Sequence, residues 1–155
     1  MKLEDIPSPL ALYMDGLRSH DLAKIEDSFA NDIQFVTPTR IMKSSEILSF
    51  LAALYRGFPD WTYLNDPPIR TGQGAIGVKW YQGGTHSETL AFPSFPAYPA
   101  TGKKVQIPAH FFYYLVDDQG LHEIRPDPIP GGPPGVFLSR SASRILLFSI
   151  NHSVH

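Results

Sequence analysis

The spacing of apolar residues changes once along this chain, near Pro59, and this change constrains the fold more than any other feature of the sequence. Before Pro59 the apolar residues recur every three or four positions, which is the period of an amphipathic helix. After it they form strand-type runs that are separated by turn residues. Helices followed by antiparallel strands are typical of an α+β fold. The sequence therefore predicts one domain over residues 1–140, in which early helices cover a curved sheet and leave a concave face.

Helix caps and turn residues set the expected boundaries of these elements. The predicted helices run from about Pro9 to about His20, from Asp21 to just before Asn31, and from Ser44 or Ser45 to Gly57. The predicted strands cover residues 33–37, 61–64, 75–82, 104–116 and 121–124. Five prolines in residues 126–134 predict an extended loop on the rim, and residues 141–155 are expected to form a C-terminal tail.

The composition excludes several classes of protein. The 155 residues carry a formal charge of -2 without a run of Lys or Arg, so we expect no nucleic-acid partner. The absence of cysteine excludes disulfide scaffolds, Cys-ligated zinc and thiol nucleophiles. The first residues lack the apolar region of a signal peptide, and the longest apolar stretches are too short to span a bilayer. We therefore expect a cytoplasmic protein without a membrane partner.

The aromatic residues indicate either an apolar pocket or a well-filled core. The chain has 10 Phe, 7 Tyr and 2 Trp, but only 18% of its residues are charged. Strict alternation along residues 104–116 places two sets of side chains on opposite faces: Val105, Ile107, Ala109, Phe111, Tyr113 and Leu115 on one, and Gln106, His110, Phe112 and Tyr114 on the other. The second set has the composition of a cavity lining. The residues expected to contact a ligand are Trp80, Phe112, Tyr114, Phe58 and Trp61.

Two titratable residues in the second half of the chain are candidates for acid–base chemistry. His110 would be a neutral imidazole between aromatic walls, or else a hydrogen-bonded histidine of an ordinary sheet. Asp127 follows the last strand, where an apolar cavity would raise its pKa and suit it to act as a general base. It can equally belong to a Pro-rich turn or pair with Arg125.

Two further candidates are Tyr13 and His86. Tyr13 lies on the apolar face of the first helix, where its phenol can donate a hydrogen bond to an enolate or simply pack in the core. His86 follows Gly83-Gly84, a pair that indicates a β-bulge near a site or a plain kink between strands.

Two other patterns do not indicate a cofactor site. The sequence of the dinucleotide-binding fingerprint is matched by Gly72-Gln-Gly-Ala-Ile-Gly77. The fingerprint requires a helix after it, but a strand follows here, so we interpret the segment as a hairpin turn. His86, His110 and His122 have no metal-ligand spacing. We expect neither a metal nor another cofactor.

Four segments share their order and residue types with a known family. They are Asp21 to Asp32, Gly84-Thr-His86, Thr101-Gly-Lys103, and Gly120 to Asp127. In this order they resemble the SnoaL-like polyketide cyclases of the nuclear-transport-factor-2-like superfamily, which also includes ketosteroid isomerase. The resemblance covers about residues 8–128.

The resemblance implies a cone of three helices closed by a strongly bent mixed sheet, a homodimer, and acid–base chemistry without a cofactor. It implies that Asp127 is the acid–base residue, that His86 is the histidine of the family motif and that Tyr13 holds the oxyanion. The isomerases carry a base Asp before a Pro on the first strand, where this chain has Thr37-Pro38. Steroid isomerisation is therefore disfavoured.

The leading hypothesis is a cofactor-independent cyclase or isomerase that removes a proton next to a carbonyl of a hydrophobic polyketide- or terpenoid-like molecule. In it, Asp127 is the base, His110 and His86 polarise or relay, and Tyr13 holds the oxyanion. One alternative is a non-catalytic module that binds a small ligand on the same fold. Another takes the Pro-rich segment as a docking peptide for a partner domain.

Overall fold

The computed structural model describes residues 5–38, 40–92 and 96–128. The expectations for the Pro-rich loop after Pro128 and for the tail over 141–155 lie outside these residues. Within them, no helix has both the length and the apolar character needed to cross a membrane.

The described residues form helices first and mostly strands afterwards, which confirms the predicted α+β class. The helices are α1 (Ser8–Ser19), α2 (Leu22–Asp27) and α3 (Ser44–Gly57). The strands are β1 (Phe29–Thr37), β2 (Arg40–Met42), β3 (Thr62–Asn65), β4 (Ile69–Arg70), β5 (Ile76–Thr85), β6 (Lys104–Asp117) and β7 (Gly120–Pro126).

All seven strands belong to one curved, mixed sheet. Its order is β2-β1-β7-β6-β5-β3, and β4 pairs with β5 beside β3. β1 and β7 run parallel, whereas the other pairs are antiparallel. Among the described strands, β2 and β3 do not pair with each other, so the sheet stays open. The helices bury their apolar faces against its inner side, where the core lies.

The turn between α1 and α2 follows from local chemistry. His20 ends α1 in the left-handed conformation (φ 55°), and its N–H donates to the last carbonyl groups of the helix. The Asp21 carboxylate then accepts from the backbone N–H of Lys24 at 3.1 Å, which starts α2. Gly16 lets the two helices approach closely, because a Cβ there would lie 2.7 Å from the side chain of Ile25.

Several boundaries differ from the prediction. α2 ends at Asp27, since Phe29 already pairs with Leu121 of β7. α3 is capped at Lys43, whose backbone N–H donates to the Glu46 side chain at 3.4 Å, and not at Ser44 or Ser45. β2 and β4 are too short for their periodicity to be detected in the sequence. The Gly72–Gly77 segment leads from β4 into β5 as the expected hairpin.

The predicted faces of β6 are wrong in its first half. Val105 and Ile107 are buried with His110, Phe112 and Tyr114, whereas Gln106 is exposed. A register shift explains this: His110 pairs with Trp80, but Ile107 pairs with Gln82, so two residues of β6 lie opposite one residue of β5. Such a bulge reverses the alternation of side chains. It includes Pro108, which has no N–H to donate to the ladder.

Of the two alternatives for Gly83-Gly84, a β-bulge or a plain kink, the bulge is wrong. The pairs from Gln82↔Ile107 to Thr85↔Lys104 are in regular register. These glycines instead allow close contacts, because a Cβ at Gly83 would lie 2.8 Å from the carbonyl oxygen of Val105.

Candidate functional site

A mainly apolar cavity lies between α1, α3 and the inner face of the sheet. It is lined by Tyr13, Leu17, Phe35, Met42, Ile47, Phe50, Leu51, Leu54, Trp61, Tyr63, Trp80, Gln82, Ile107, Phe112 and Tyr114. None of these described lining residues carries a carboxylate, an imidazole or a cationic group. The space open to the centre of a water-sized sphere is about 40 Å³. By that measure it holds roughly three water molecules.

A cluster of hydrogen-bonding groups lies within this apolar wall. The indole N–H of Trp80 donates to the hydroxyl oxygen of Tyr114 at 2.9 Å. The hydroxyl of Tyr114 also interacts with that of Tyr13, whose ring centroid is 5.6 Å away. Burial raises the pKa of both phenols above their ordinary value. Both are therefore neutral hydrogen-bond donors near pH 7.

A second polar pair lies along the same wall. The hydroxyls of Tyr55 and Tyr63 are 2.8 Å apart, and Tyr63 lines the cavity. Burial raises the pKa of both of these tyrosines as well. The His20 ring stacks on Tyr55 at 4.0 Å and donates from Nε2 to the carbonyl oxygen of Trp61 at 2.6 Å. These contacts connect the α1–α2 corner to the cavity.

Most of the aromatic residues predicted to contact a ligand do line the cavity. Trp61, Trp80, Phe112 and Tyr114 form part of its wall, together with Tyr13. Phe58 is fully buried, but it packs behind the wall against Trp61, with ring centroids 5.2 Å apart.

His110 is buried directly beside the cavity. Its side chain is on the inner face of β6, and its ring centroid is 4.9 Å from that of Phe112. The Nδ1 atom lies 2.9 Å from the carbonyl oxygen of Pro108. The Nε2 atom is shielded from solvent and has no hydrogen-bond partner among the described residues. Desolvation lowers the pKa of His110, while a bond to the Pro108 backbone and the charge of Asp127 act in the opposite direction.

His86 is buried away from the cavity. Its Nδ1 is 2.9 Å from the Thr101 hydroxyl, and its ring stacks on Phe58 at 5.3 Å. Its backbone N–H donates to the carbonyl of Lys103, and its own carbonyl accepts from Thr101 and Gly102. These bonds hold the segment between β5 and β6. Burial lowers the pKa of His86.

Asp127 is outside the described cavity lining. Its carboxylate accepts a hydrogen bond from the Tyr113 hydroxyl at 3.2 Å, and its N–H donates to the carbonyl of Phe111 at 2.9 Å. These bonds hold Asp127 against β6, and it is not part of the cavity wall. Arg125 was the alternative partner of Asp127. Its guanidinium contacts the carboxylate of Glu123 at 3.1 Å.

Sequence reasoning missed Tyr63 and Gln82. Both are buried, and the Gln82 amide oxygen accepts from the Trp61 indole at 3.4 Å. Tyr63 belongs to a predicted strand and carries an aromatic ring with a polar end. These two features are the signal in the sequence that could have identified it as a lining residue. Across the described ranges, no three His, Asp or Glu residues are grouped as ligands for a metal ion.

The profile of the SnoaL-like domain matches residues 10–121. The chain belongs to this family. No curated protein matches the chain in sequence. The expected family resemblance is thus confirmed over most of the chain.

Solved structures with the same fold include several provisionally assigned polyketide cyclases. A SnoaL-like protein from Jannaschia Sp. CCS1 is 12% identical, with 99% of each chain covered and a TM-score of 0.64. IdmH from Streptomyces antibioticus is 19% identical over 77% of this chain and 88% of its own, with a TM-score of 0.59. AclR from Streptomyces galilaeus, provisionally a hydroxylase, is 14% identical over 77% and 75%, with a TM-score of 0.62. At these identities the likeness establishes the fold. Together with the family, it supports a cyclase-type or ligand-binding role.

Proposed function

We propose that this chain is a cofactor-independent cyclase or isomerase that acts on a hydrophobic, carbonyl-bearing small molecule of polyketide or terpenoid type. The substrate binds in the aromatic cavity, and a proton is removed from the carbon next to its carbonyl. The observation that carries this proposal is the pair of neutral phenols, Tyr13 and Tyr114, in an otherwise apolar wall.

The phenol pair is suited to stabilise the oxygen of an enolate. Because Trp80 donates to the Tyr114 oxygen, the Tyr114 proton stays available for another acceptor. Hydrogen bonds in a dry cavity strengthen as charge develops on the carbonyl oxygen. Tyr13 and Tyr114 would thus lower the barrier to enolate formation, while the aromatic walls orient a planar substrate.

The cavity must widen to admit such a substrate. Ligand pockets for small molecules have volumes of about 300–1,000 Å³, far above the open space present here. Widening requires motion of lining side chains, for which Met42 and the Phe50, Leu51 and Leu54 side chains of α3 are the flexible candidates. The proposal therefore includes repacking on binding.

Intrinsic fluorescence tests the binding step directly, since both tryptophans of the chain line the cavity. Titration with 2-naphthol, a planar phenol, should quench their emission to saturation. Tyr13→Phe should weaken binding several-fold because it removes a hydrogen-bond donor. Tyr81→Phe, which removes an exposed hydroxyl bonded to Asp66, is the matched control and should bind like the wild type. Equal binding by both variants would contradict the role of the phenol pair.

A non-catalytic binding module is the second candidate. It is favoured by the absence of a carboxylate or an imidazole among the described lining residues. The two candidates differ in one measurement: only an enzyme accelerates the exchange of α-protons of a bound ketone. Incubation of 2-tetralone with the protein in D₂O, followed by proton NMR, separates them. The homodimer stays a prediction, which light scattering of the full chain can check.

A further inference from the structure

We propose that His110 is the general base of the cavity and accepts the α-proton of the substrate at Nε2. This inference rests on the proposed function and reassigns the base from Asp127. It names a residue of β6 as the group that touches the reacting carbon.

The hydrogen bond at Nδ1 fixes the protonation state of the ring. The partner is the carbonyl oxygen of Pro108, 2.9 Å away, and a carbonyl oxygen can only accept. Nδ1 therefore carries the proton. In a neutral imidazole the other nitrogen then has a free lone pair. Nε2 of His110 is consequently a base as the structure stands.

This lone pair has no use within the described protein. His110 is 4% exposed, and its Nε2 has no hydrogen-bond partner. Buried polar atoms are usually paired, and an unpaired one calls for a specific explanation. A base that awaits a proton from a bound molecule supplies that explanation.

The ring of His110 adjoins residues that line the cavity. Nδ1 is held by the backbone of the same strand, and Phe112 both lines the cavity and packs against His110. Trp80, the cross-strand neighbour of His110, also lines the cavity. The proposal requires that a shift of the Phe112 ring on widening of the cavity brings Nε2 to the substrate.

The bulge in β6 makes this placement possible. Without the extra residue at Pro108 and Ala109, His110 would lie on the face opposite to Val105 and Ile107. The same bulge also presents the Pro108 carbonyl to Nδ1. One local irregularity thus places the ring inside and selects its tautomer. Bulges next to active sites commonly redirect a side chain in this way.

The proposed step is balanced in atoms and charge. The α C–H bond breaks, its proton moves to Nε2, and its electron pair forms the C=C bond of an enolate whose oxygen accepts from Tyr13 and Tyr114. In an isomerisation the imidazolium returns the proton to another carbon of the conjugated system. In a cyclisation the enolate carbon bonds to a second carbonyl carbon, and the imidazolium protonates the new alkoxide.

His86 shows why burial alone is insufficient for this role. Its Nε2 too is buried and has no hydrogen-bond partner in the part of the chain that the structure describes. Its Nδ1, however, faces the Thr101 hydroxyl, which can donate or accept, so the tautomer is not fixed. Its ring packs on Phe58, which does not line the cavity.

The test compares wild type, His110→Gln and His122→Gln in the deuterium exchange of 2-tetralone. His110→Gln should lower the protein-dependent exchange rate by roughly 10²-fold or more, the range of a general base. His122→Gln, which removes an imidazole from the exposed side, should leave it unchanged. Exchange at the wild-type rate in His110→Gln would overturn the base assignment alone. A wild type that binds 2-naphthol but does not accelerate exchange would overturn the catalytic function, and the base with it.

A measurement on the wild-type protein avoids dependence on the folding of the variant. Nitrogen-15 NMR should show His110 with a protonated Nδ1 and an unprotonated Nε2, and the Nε2 resonance should move when 2-naphthol is added. A protonated Nε2, or a resonance unchanged at saturating 2-naphthol, would overturn the proposal.

Discussion

His110 on the inner face of the sheet and His122 on its exposed side place the same residue type in opposite surroundings. Among the described residues, His110 is bonded to the carbonyl oxygen of Pro108 and packs against the Phe112 ring. The two ring nitrogens of His122 lie 2.5 Å from Asp32 and 2.7 Å from Asp117. Burial therefore lowers the pKa of His110, whereas the two carboxylates raise the pKa of His122. The described residues that line the cavity carry no charged group, which fits the neutral substrate proposed above.

The largest expected effect on stability comes from truncating a side chain that is packed on the inner side of the sheet, compared with one on the exposed side. Trp80 is 2% exposed and Leu64 is 70% exposed. Trp80→Ala should lower the free energy of unfolding by about 3–5 kcal/mol, as for other large buried aromatic residues. Leu64→Ala should change it by less than about 0.5 kcal/mol. Urea unfolding followed by circular dichroism measures both, and similar losses would show that the exposed side is packed in solution.

A matched pair of tyrosines tests the hydrogen bonds on the two sides. Tyr114→Phe leaves the buried indole N–H of Trp80 without an acceptor, which should lower the free energy of unfolding by about 1–3 kcal/mol. Tyr81→Phe removes the exposed hydroxyl bonded to Asp66, where water can replace it, so no measurable change is expected. Urea unfolding of both variants at pH 7 makes the comparison. An unaffected Tyr114→Phe protein would mean that water already reaches the phenol cluster.

Lowering the pH should destabilise the protein through the buried histidines on the inner side of the sheet. Because burial lowers the folded pKa of His110, the unfolded chain binds more protons below the ordinary histidine pKa of about 6.5. Burial also lowers the pKa of His86, so this residue contributes to the same dependence of stability on pH. The free energy of unfolding should therefore fall as pH decreases through about 6.5. In His110→Gln the slope should be shallower by at most roughly 1.4 kcal/mol per pH unit. An unchanged slope in urea titrations between pH 5 and 8 would show that His110 titrates normally.

The sequence predicts the parts of the fold that depend on local chemistry. Pro9 places the start of α1, and the Gly72–Gly77 turn is correct because the following residues favour a strand. Tyr13 and Trp80 both line the cavity, since each occupies the apolar face of its element, while their contact with a ligand stays a prediction.

The position of Asp127 and the faces of β6 could not be predicted in this way. Both depend on how neighbouring strands pair: the bulge at Pro108 is defined only against Tyr81 of β5, and Asp127 is held by Phe111 and Tyr113 across the sheet. No alternation of residue types within one strand contains that information.

The smallest expected effect on stability comes from His122 on the exposed side of the sheet. Its dependence on pH is opposite in sign to that of His110. The raised folded pKa means that the contribution of His122 to stability is fully present below about pH 6.5 and is lost as pH rises through the folded pKa. His122→Gln should thus be slightly less stable than the wild type at pH 6 and equal to it at pH 9. The contacts with Asp32 and Asp117 are near solvent, so added salt should reduce the difference. If the difference instead grew with pH, the two carboxylates would not be the partners of the protonated ring. The contrast between the two sides of the sheet would then rest on packing alone.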